Sequence, residues 1–154
     1  MAYKAFFEVF PAVAQRETRS ATTFGREDLP DAEYGFIEMY CVDPKCDCRR
    51  AIIKVISHDL PEVEIATLSY GWDTAAFYRD FLRGFSDGRD ATGVQLERLS
   101  DQSELAEGGR TLFEEMLQDP EFKTRIERHY KMVKEHFKVR ARPRPKARFR
   151  KIGF

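Results

Sequence analysis

The stretch YGFIEMYCVDPKCDCRRAIIKVIS, residues 34–57, contains two runs rich in aromatic and β-branched residues, separated by a polar segment. Such runs, bounded by turn-forming residues, are typical of β-strands. The segment Asp43-Pro44-Lys45-Cys46 suits a type I turn, because Asp is favoured at its first position and Pro at its second. The stretch therefore predicts a β-hairpin with strands at residues 34–41 and 48–57.

The chain on either side of this hairpin predicts further strands. Residues 3–14 fit a short strand or a helix equally well, whereas residues 16–24 favour an exposed or edge strand. Residues 25–35 carry Gly, Pro and Asp and are expected to form a loop. A third strand is predicted within residues 62–72, and a short extended piece at residues 94–96.

Three helices are expected in the second half of the chain. The first is capped by Asp73 or Thr74 and would place a row of phenylalanines on one face: Phe77, Phe81 and Phe85. The second follows Asp101 and Glu104, which resemble a capping box, and two glycines at 108 and 109 would weaken or split it.

The last helix begins at Asp119-Pro120, a cap followed by Pro in the first turn. Its apolar stripe comprises Phe122, Ile126, Tyr130, Val133 and Phe137. The predicted fold is α+β, an antiparallel meander of three to four strands with about three helices packed on one face. We expect one domain at residues 1–137 and a basic, Pro-containing tail at residues 138–154.

Composition predicts a cytoplasmic protein with no membrane span. The chain has 154 residues and contains no apolar run of about 18 residues. Glu8 and Pro11 interrupt the apolar N-terminal segment, so it lacks the continuous core of a signal peptide. Three cysteines, an odd number, do not suit a secreted disulfide framework.

All three cysteines, Cys41, Cys46 and Cys48, fall within eight positions around the predicted turn. A hairpin tip would bring their sulfurs together, and closely spaced thiolates repel each other unless they share a cation. Zn²⁺ binds such sulfurs tetrahedrally, so the turn predicts a zinc site. Arg49 and Arg50 are expected to lower the thiol pKa values and to offset the charge of three thiolates.

The fourth ligand has several candidates. His58 lies ten residues beyond Cys48, and a strand of that length spans about 33 Å, so His58 should sit at the far end of the hairpin. His129 is the favoured candidate, since the last helix can cross the sheet and carry it or His136 to the tip. Local coordination by Asp43 or Asp47, or a water ligand, remains open.

The cysteines also admit other interpretations. Cys41 and Cys48 can form a cross-strand disulfide, or all three can be reduced structural thiols. The alternative function is a zinc- or thiol-dependent enzyme, a hydrolase or a redox protein, centred on the same turn. Glu38 is the candidate general base for that chemistry, and Trp72 would either line a cleft beside the hairpin or fill the core. No phosphate-binding loop, His-Glu-x-x-His helix or nucleophile elbow is present in the sequence.

The formal charge of +0 divides into two unlike parts. From residue 138 onward there are eight basic and no acidic residues, which leaves 18 basic and 26 acidic side chains in residues 1–137. Pro143 and Pro145 prevent a helix, so the tail predicts a line of separated cations that suits the phosphates of RNA or an acidic protein surface. The candidate contacts are Arg140, Arg142, Arg144, Lys146, Arg148 and Arg150. The alternatives are a solvated terminus, or a tail that folds back on the acidic body of the chain itself.

The turn YCVDPKCDCRR (residues 40–50), followed by an apolar strand, resembles uncharacterised bacterial proteins that often carry a C-terminal SEC-C zinc motif. In those proteins a basic linker ending in a sequence like RKIG precedes the Cys-Pro-Cys-Gly of the zinc knuckle. The corresponding residues here are RKIGF, residues 150–154, and the knuckle ligands are absent. The resemblance thus implies a bacterial zinc-associated protein with the linker but without the knuckle, and it transfers no SEC-C ligand to this chain.

Overall fold

The computed structural model describes residues 2–141, with side chains described as far as Val139. The strands in this range are β1 (Tyr3–Ala5), β2 (Ser20–Thr22), β3 (Glu33–Cys41), β4 (Arg50–Ile56), β5 (Ala66–Gly71) and β6 (Gly93–Leu96). The helices are α1 (Phe6–Val9), α2 (Pro11–Glu17), α3 (Ala75–Phe81), α4 (Ala106–Met116) and α5 (Pro120–Ala141).

The six strands form one antiparallel sheet in the order β1-β3-β4-β5-β6, and β2 pairs with β3 on the same edge as β1. The predicted hairpin is confirmed, since β3 pairs with β4 in a register that sets Ile37 opposite Lys54. The strands β3, β4, β5 and β6 follow one another as a meander with helices packed on the sheet. The predicted α+β class is therefore correct.

The core lies between the sheet and helices α4 and α5. Alternate residues of β3 are buried, which follows from the two-residue period of a strand. The Phe36 ring lies 5.5 Å from that of Phe113 on α4 and 6.4 Å from that of Phe122 on α5. Burial of each of these rings contributes about 2 kcal/mol.

Helix α3 ends earlier than the phenylalanine spacing predicts. Thr74 caps it by accepting a hydrogen bond from the amide of Phe77, as expected. The helix stops at Phe81 because Arg83 and Gly84 adopt positive φ angles of 53° and 79°. Phe85 consequently lies outside the helix with 94% of its surface exposed, and the prediction that it shares a helical face is wrong.

The start of α4 also differs from the prediction. Asp101 and Glu104 do not form a capping box, and the amide of Leu105 instead donates to the Ser103 hydroxyl. Gly108 and Gly109 lie inside one continuous helix. A Cβ on Gly108 would stand 2.3 Å from the carbonyl oxygen of Asp28, so this glycine allows the helix to approach the loop before β3.

Helix α5 carries the predicted apolar stripe. Phe122, Ile126 and Val133 are fully buried, and Tyr130 is 6% exposed. The helix continues through Ala141, so residues 138–141 of the predicted tail are helical, whereas the rest of the tail lies outside the described residues. None of the helices in the described range is both long enough and apolar enough to cross a bilayer.

Candidate metal centre

The three cysteines occupy the tip of the β3–β4 hairpin. Cys41 ends β3 opposite Tyr3 of β1, whereas Cys46 and Cys48 belong to the connection between the strands. The amide of Cys46 donates to the carbonyl oxygen of Asp43 at 3.2 Å, as expected for the predicted turn. This fold brings the three Sγ atoms within 4.8 Å of one another.

This spacing suits a tetrahedral thiolate site. With Zn–S bonds of about 2.3 Å, tetrahedral geometry sets neighbouring sulfurs about 3.8 Å apart. No disulfide joins any two of the three cysteines, so the alternative Cys41–Cys48 disulfide is not formed. Cys41 and Cys48 are buried and Cys46 is partly exposed, so solvent reaches the group from the side of Cys46. The cluster can therefore hold a metal ion.

The thiols affect one another electrostatically. Burial, followed by the neighbouring Cys48 and Cys41, raises the pKa of Cys46 to about 12, and Lys134 opposes the rise. Burial and the same three sulfurs raise the pKa of the Tyr3 hydroxyl as well. A divalent cation would reverse this effect, because it favours the deprotonated form of every thiol that it binds.

The sequence predicted that Arg49 would lie beside the thiols, but its guanidinium pairs with two carboxylates. Arg49 has a φ of 46°, and its guanidinium binds the carboxylates of Asp47 at 2.9 Å and Asp73 at 2.7 Å. Its hydrogen bonds hold the pKa of both carboxyl groups below the usual range. The same guanidinium lies 4.3 Å from the centre of the Phe77 ring. Arg49 therefore ties the turn to α3.

Helix α5 fastens the turn from the other side. The Tyr130 hydroxyl donates to Asp47 at 3.0 Å and accepts from the amide of Arg49 at 3.1 Å. One turn further along, the Lys134 ammonium donates to the carbonyl oxygen of Asp43 at 3.0 Å. Sequence reasoning assigned Tyr130 only to the apolar stripe and overlooked Lys134, although both follow His129 on the helix that was expected to cross the tip.

His129, the predicted fourth ligand, lies elsewhere. It is fully buried, and its Nδ1 and Nε2 lie 2.8 Å from Glu38 and 3.3 Å from Glu17. Its ring stacks on Phe6 at 3.9 Å between centroids. Successive helical residues are rotated by about 100°, so the rotation that directs Tyr130 to the turn directs His129 to β3 and α2. His129 is not part of the group of close ligand atoms.

His58 and Glu38, the other candidate residues, both lie away from the cysteine turn. His58 follows β4, pairs with Asp59 and is 75% exposed, at the far end of the hairpin as expected. Glu38, the candidate general base, is buried, accepts a hydrogen bond from the Tyr40 hydroxyl and lies 2.8 Å from Nδ1 of His129. It therefore belongs to the packing between β3 and α5 and not to the cysteine turn.

A cavity of about 680 Å³ adjoins the turn and includes Cys46 in its wall. Trp72 and Tyr130 also line it, with their rings 5.0 Å apart and nearly perpendicular. Trp72 is partly buried, so it combines the two roles expected for it, packing against the core and lining a cleft. Five basic side chains line the cavity, Lys45, Arg49, Lys131, Lys134 and Lys138, together with four acidic ones, Asp47, Asp73, Glu127 and Glu135. The predicted RNA contacts from Arg140 to Arg150 have no described side chains.

Comparisons with protein-family models, with curated proteins and with solved structures return no match. The fold and the site by themselves define the class, an α+β protein with a three-cysteine cluster at a hairpin tip.

Proposed function

We propose that this protein is a binding module in which Cys41, Cys46 and Cys48 hold a zinc ion. The observation that carries this proposal is the convergence of the three sulfur atoms within 4.8 Å at one turn. Thiolates are soft ligands and favour zinc over magnesium or calcium. The metal would fix the geometry of the tip, which α5 already contacts through Tyr130 and Lys134.

The second part of the proposal concerns RNA as the partner. The eight basic residues from position 138 onward begin within the last turn of α5, and Lys134 and Lys138 of this helix line the cavity beside the turn. The zinc-supported tip and these two lysines would thus lie on one surface. A row of cations spaced along a Pro-containing segment suits phosphates of a single strand. The resemblance to SEC-C-associated bacterial proteins remains a prediction that is consistent with this role.

The alternative, a thiol-dependent enzyme, has less support. A nucleophilic cysteine needs a lowered pKa, whereas the pKa of Cys46 is raised to about 12 by burial and by its sulfur neighbours. A zinc-dependent hydrolase is favoured only by the solvent access at Cys46, and the candidate base Glu38 is hydrogen-bonded elsewhere.

Elemental analysis tests the metal site. Protein purified without added metal is expected to contain about one equivalent of zinc, and Cys46→Ser should lose most of it because two thiolates bind far more weakly. Lys45→Ala is the matched control, since it changes an exposed residue of the same turn and keeps all three thiols. A wild-type content below about a tenth of an equivalent of zinc, iron or copper would refute the site.

RNA binding is tested by changing charge without changing length. Replacing Arg140, Arg142, Arg144, Lys146, Arg148 and Arg150 with Gln should weaken binding to a single-stranded RNA and reduce the log–log salt slope by up to about 4, at about 0.7 per phosphate contact. The control replaces exposed cations elsewhere, Arg83, Arg89 and Lys123, and should leave the slope nearly unchanged. If both sets of substitutions reduced the slope equally, the tail would not be the RNA contact. If the tail variant bound RNA normally but no longer bound an acidic protein, the acidic protein would be the favoured partner.

A further inference from the structure

The cysteine cluster supplies three ligands, and zinc in proteins is nearly always four-coordinate. Within the part of the chain that the structure describes, no His, Asp or Glu joins the three sulfurs in a mutually close group. The local carboxylate of Asp47 is already bound by Arg49 and Tyr130. A metal held here therefore has one position to fill from outside this group.

The surroundings of the cluster show from which side a further ligand can come. Cys41 and Cys48 are 0% and 1% exposed, and Cys46 alone of the three lines the 680 Å³ cavity. A small molecule therefore reaches the cluster through the cavity and past Cys46. The cavity is large enough for a ligand of the size that proteins commonly bind.

The charge in the cavity wall indicates which chemistry it accepts. Lys134 is only 6% exposed, and its ammonium donates to the carbonyl oxygen of Asp43, a neutral group. Among the described residues no carboxylate forms an ion pair with Lys134, although Arg49 in the same wall is paired with two. Lys134 lies 5.5 Å from the Tyr130 ring centre. The charge of Lys134 acts on the Asp47 carboxyl and on the Cys46 thiol, but the carboxyl forms no ion pair with its ammonium. An ammonium with so little exposure to water attracts a further anion more strongly than an exposed lysine does.

We infer that the cavity binds a small molecule with an anionic donor group, such as a carboxylate, a thiolate or a phosphate, which takes the open position of the metal. Lys134 holds the negative charge of the group, and Trp72 and Tyr130 form the apolar wall against the rest of the molecule. This inference rests on the proposed metal site and adds a ligand to it.

Cobalt(II) loading tests the inference, because the d–d absorption of cobalt reports a change of its ligands. Wild-type protein loaded with cobalt is titrated separately with acetate, 2-mercaptoethanol and inorganic phosphate at constant ionic strength. At least one of these probes should shift the d–d bands saturably. Lys134→Met should lower the affinity for that probe at least about tenfold, and Lys134→Arg should largely restore it. Lys123→Met, on the same helix, should leave the affinity unchanged.

The outcomes separate the two proposals. Thiolate-to-cobalt charge transfer with no response to any probe would overturn the anion site and leave the metal site standing. A response that Lys134→Met does not weaken, at full cobalt stoichiometry, would overturn the assigned role of Lys134 and the cavity. Failure of cobalt to bind at all would refute the metal site and the inference together.

Discussion

Two polar clusters connect helix α5 to the sheet, and they differ in whether they are complete. In the first, which we call the carboxylate–histidine cluster, Glu38 accepts from Tyr40 and lies 2.8 Å from His129, whose other ring nitrogen faces Glu17. In the second, at the hairpin tip, three thiols of the same kind converge within 4.8 Å.

The first cluster pairs donors with acceptors, so its burial is compensated within the protein. The second brings together three groups that repel one another when charged. Burial, and after it the neighbouring Cys48 and Cys41, raises the pKa of Cys46. The difference teaches that the buried groups of the first cluster satisfy one another, whereas three thiolates side by side would need a cation.

The largest effect is expected from breaking the carboxylate–histidine cluster. His129→Leu removes a partner from the buried Glu38 carboxylate and should lower the free energy of unfolding by about 3 kcal/mol. Urea denaturation measures the loss, and a chelator should leave its size unchanged because the cluster needs no metal.

His136→Leu serves as the control for this variant. His136 is only partly buried on the same helix and contacts the rings of Phe10 and Phe137. Its replacement should change stability by less than about 1 kcal/mol. If the two histidine variants were equally destabilised, the loss in His129→Leu would not come from the lost partner of Glu38.

Removal of metal should have the next largest effect. A ligand that binds only the folded state at a hundred times its Kd contributes about 2.7 kcal/mol, so a strong chelator should lower stability by roughly that amount. Thermal unfolding with and without chelator measures the difference. His129→Leu should retain the chelator response, and Cys46→Ser should lose it, since only the second variant changes the hairpin tip.

A chelator response that persists in Cys46→Ser would contradict the contrast between the clusters, because the metal would then stabilise some other part of the protein. A wild type that does not respond, in spite of bound zinc, would show that the tip is fully organised by Tyr130, Lys134 and Arg49.

Local patterns predicted most of the fold. The hairpin, the meander and the stripe on α5 follow from hydrophobic periodicity, which depends on neighbouring residues alone. The convergence of the cysteines was also predictable, because a turn of known type brings its flanking residues together. The early end of α3 was not, since the phenylalanine spacing continues past the left-handed pair at Arg83 and Gly84.

The place of His129 could not be predicted, because it depends on the rotation of α5 about its own axis. That rotation is set by tertiary packing of Phe122, Ile126 and Val133 against the sheet. The burial of Glu38 could have been predicted, however. It lies on the same face of β3 as Tyr34, Phe36 and Tyr40, because alternate residues of a strand point to the same side. A carboxyl on this inward face needs a buried hydrogen-bond partner.

The smallest expected effect concerns the outer edge of the carboxylate–histidine cluster and depends on pH. Hydrogen bonds from Arg128, and to a lesser extent from His129, hold the pKa of Glu17 below its ordinary value of 4.5. A carboxyl with a lowered folded-state pKa stabilises the protein above its unfolded-state pKa, and this contribution disappears as the pH falls through the folded-state value.

Glu17→Gln should therefore lower stability by about 1 kcal/mol or less at pH 7, because Arg128 is half exposed and its ion pair is partly screened by solvent. The difference from wild type should shrink as the pH drops below about 4.5 and vanish once Glu17 is protonated in both states. Urea denaturation of both proteins from pH 7 to pH 3 measures this convergence. If the difference in the free energy of unfolding stayed constant across this pH range, Glu17 would act through packing and not through its charge. The ion pair between Glu17 and Arg128 would then contribute nothing to the stability of the cluster.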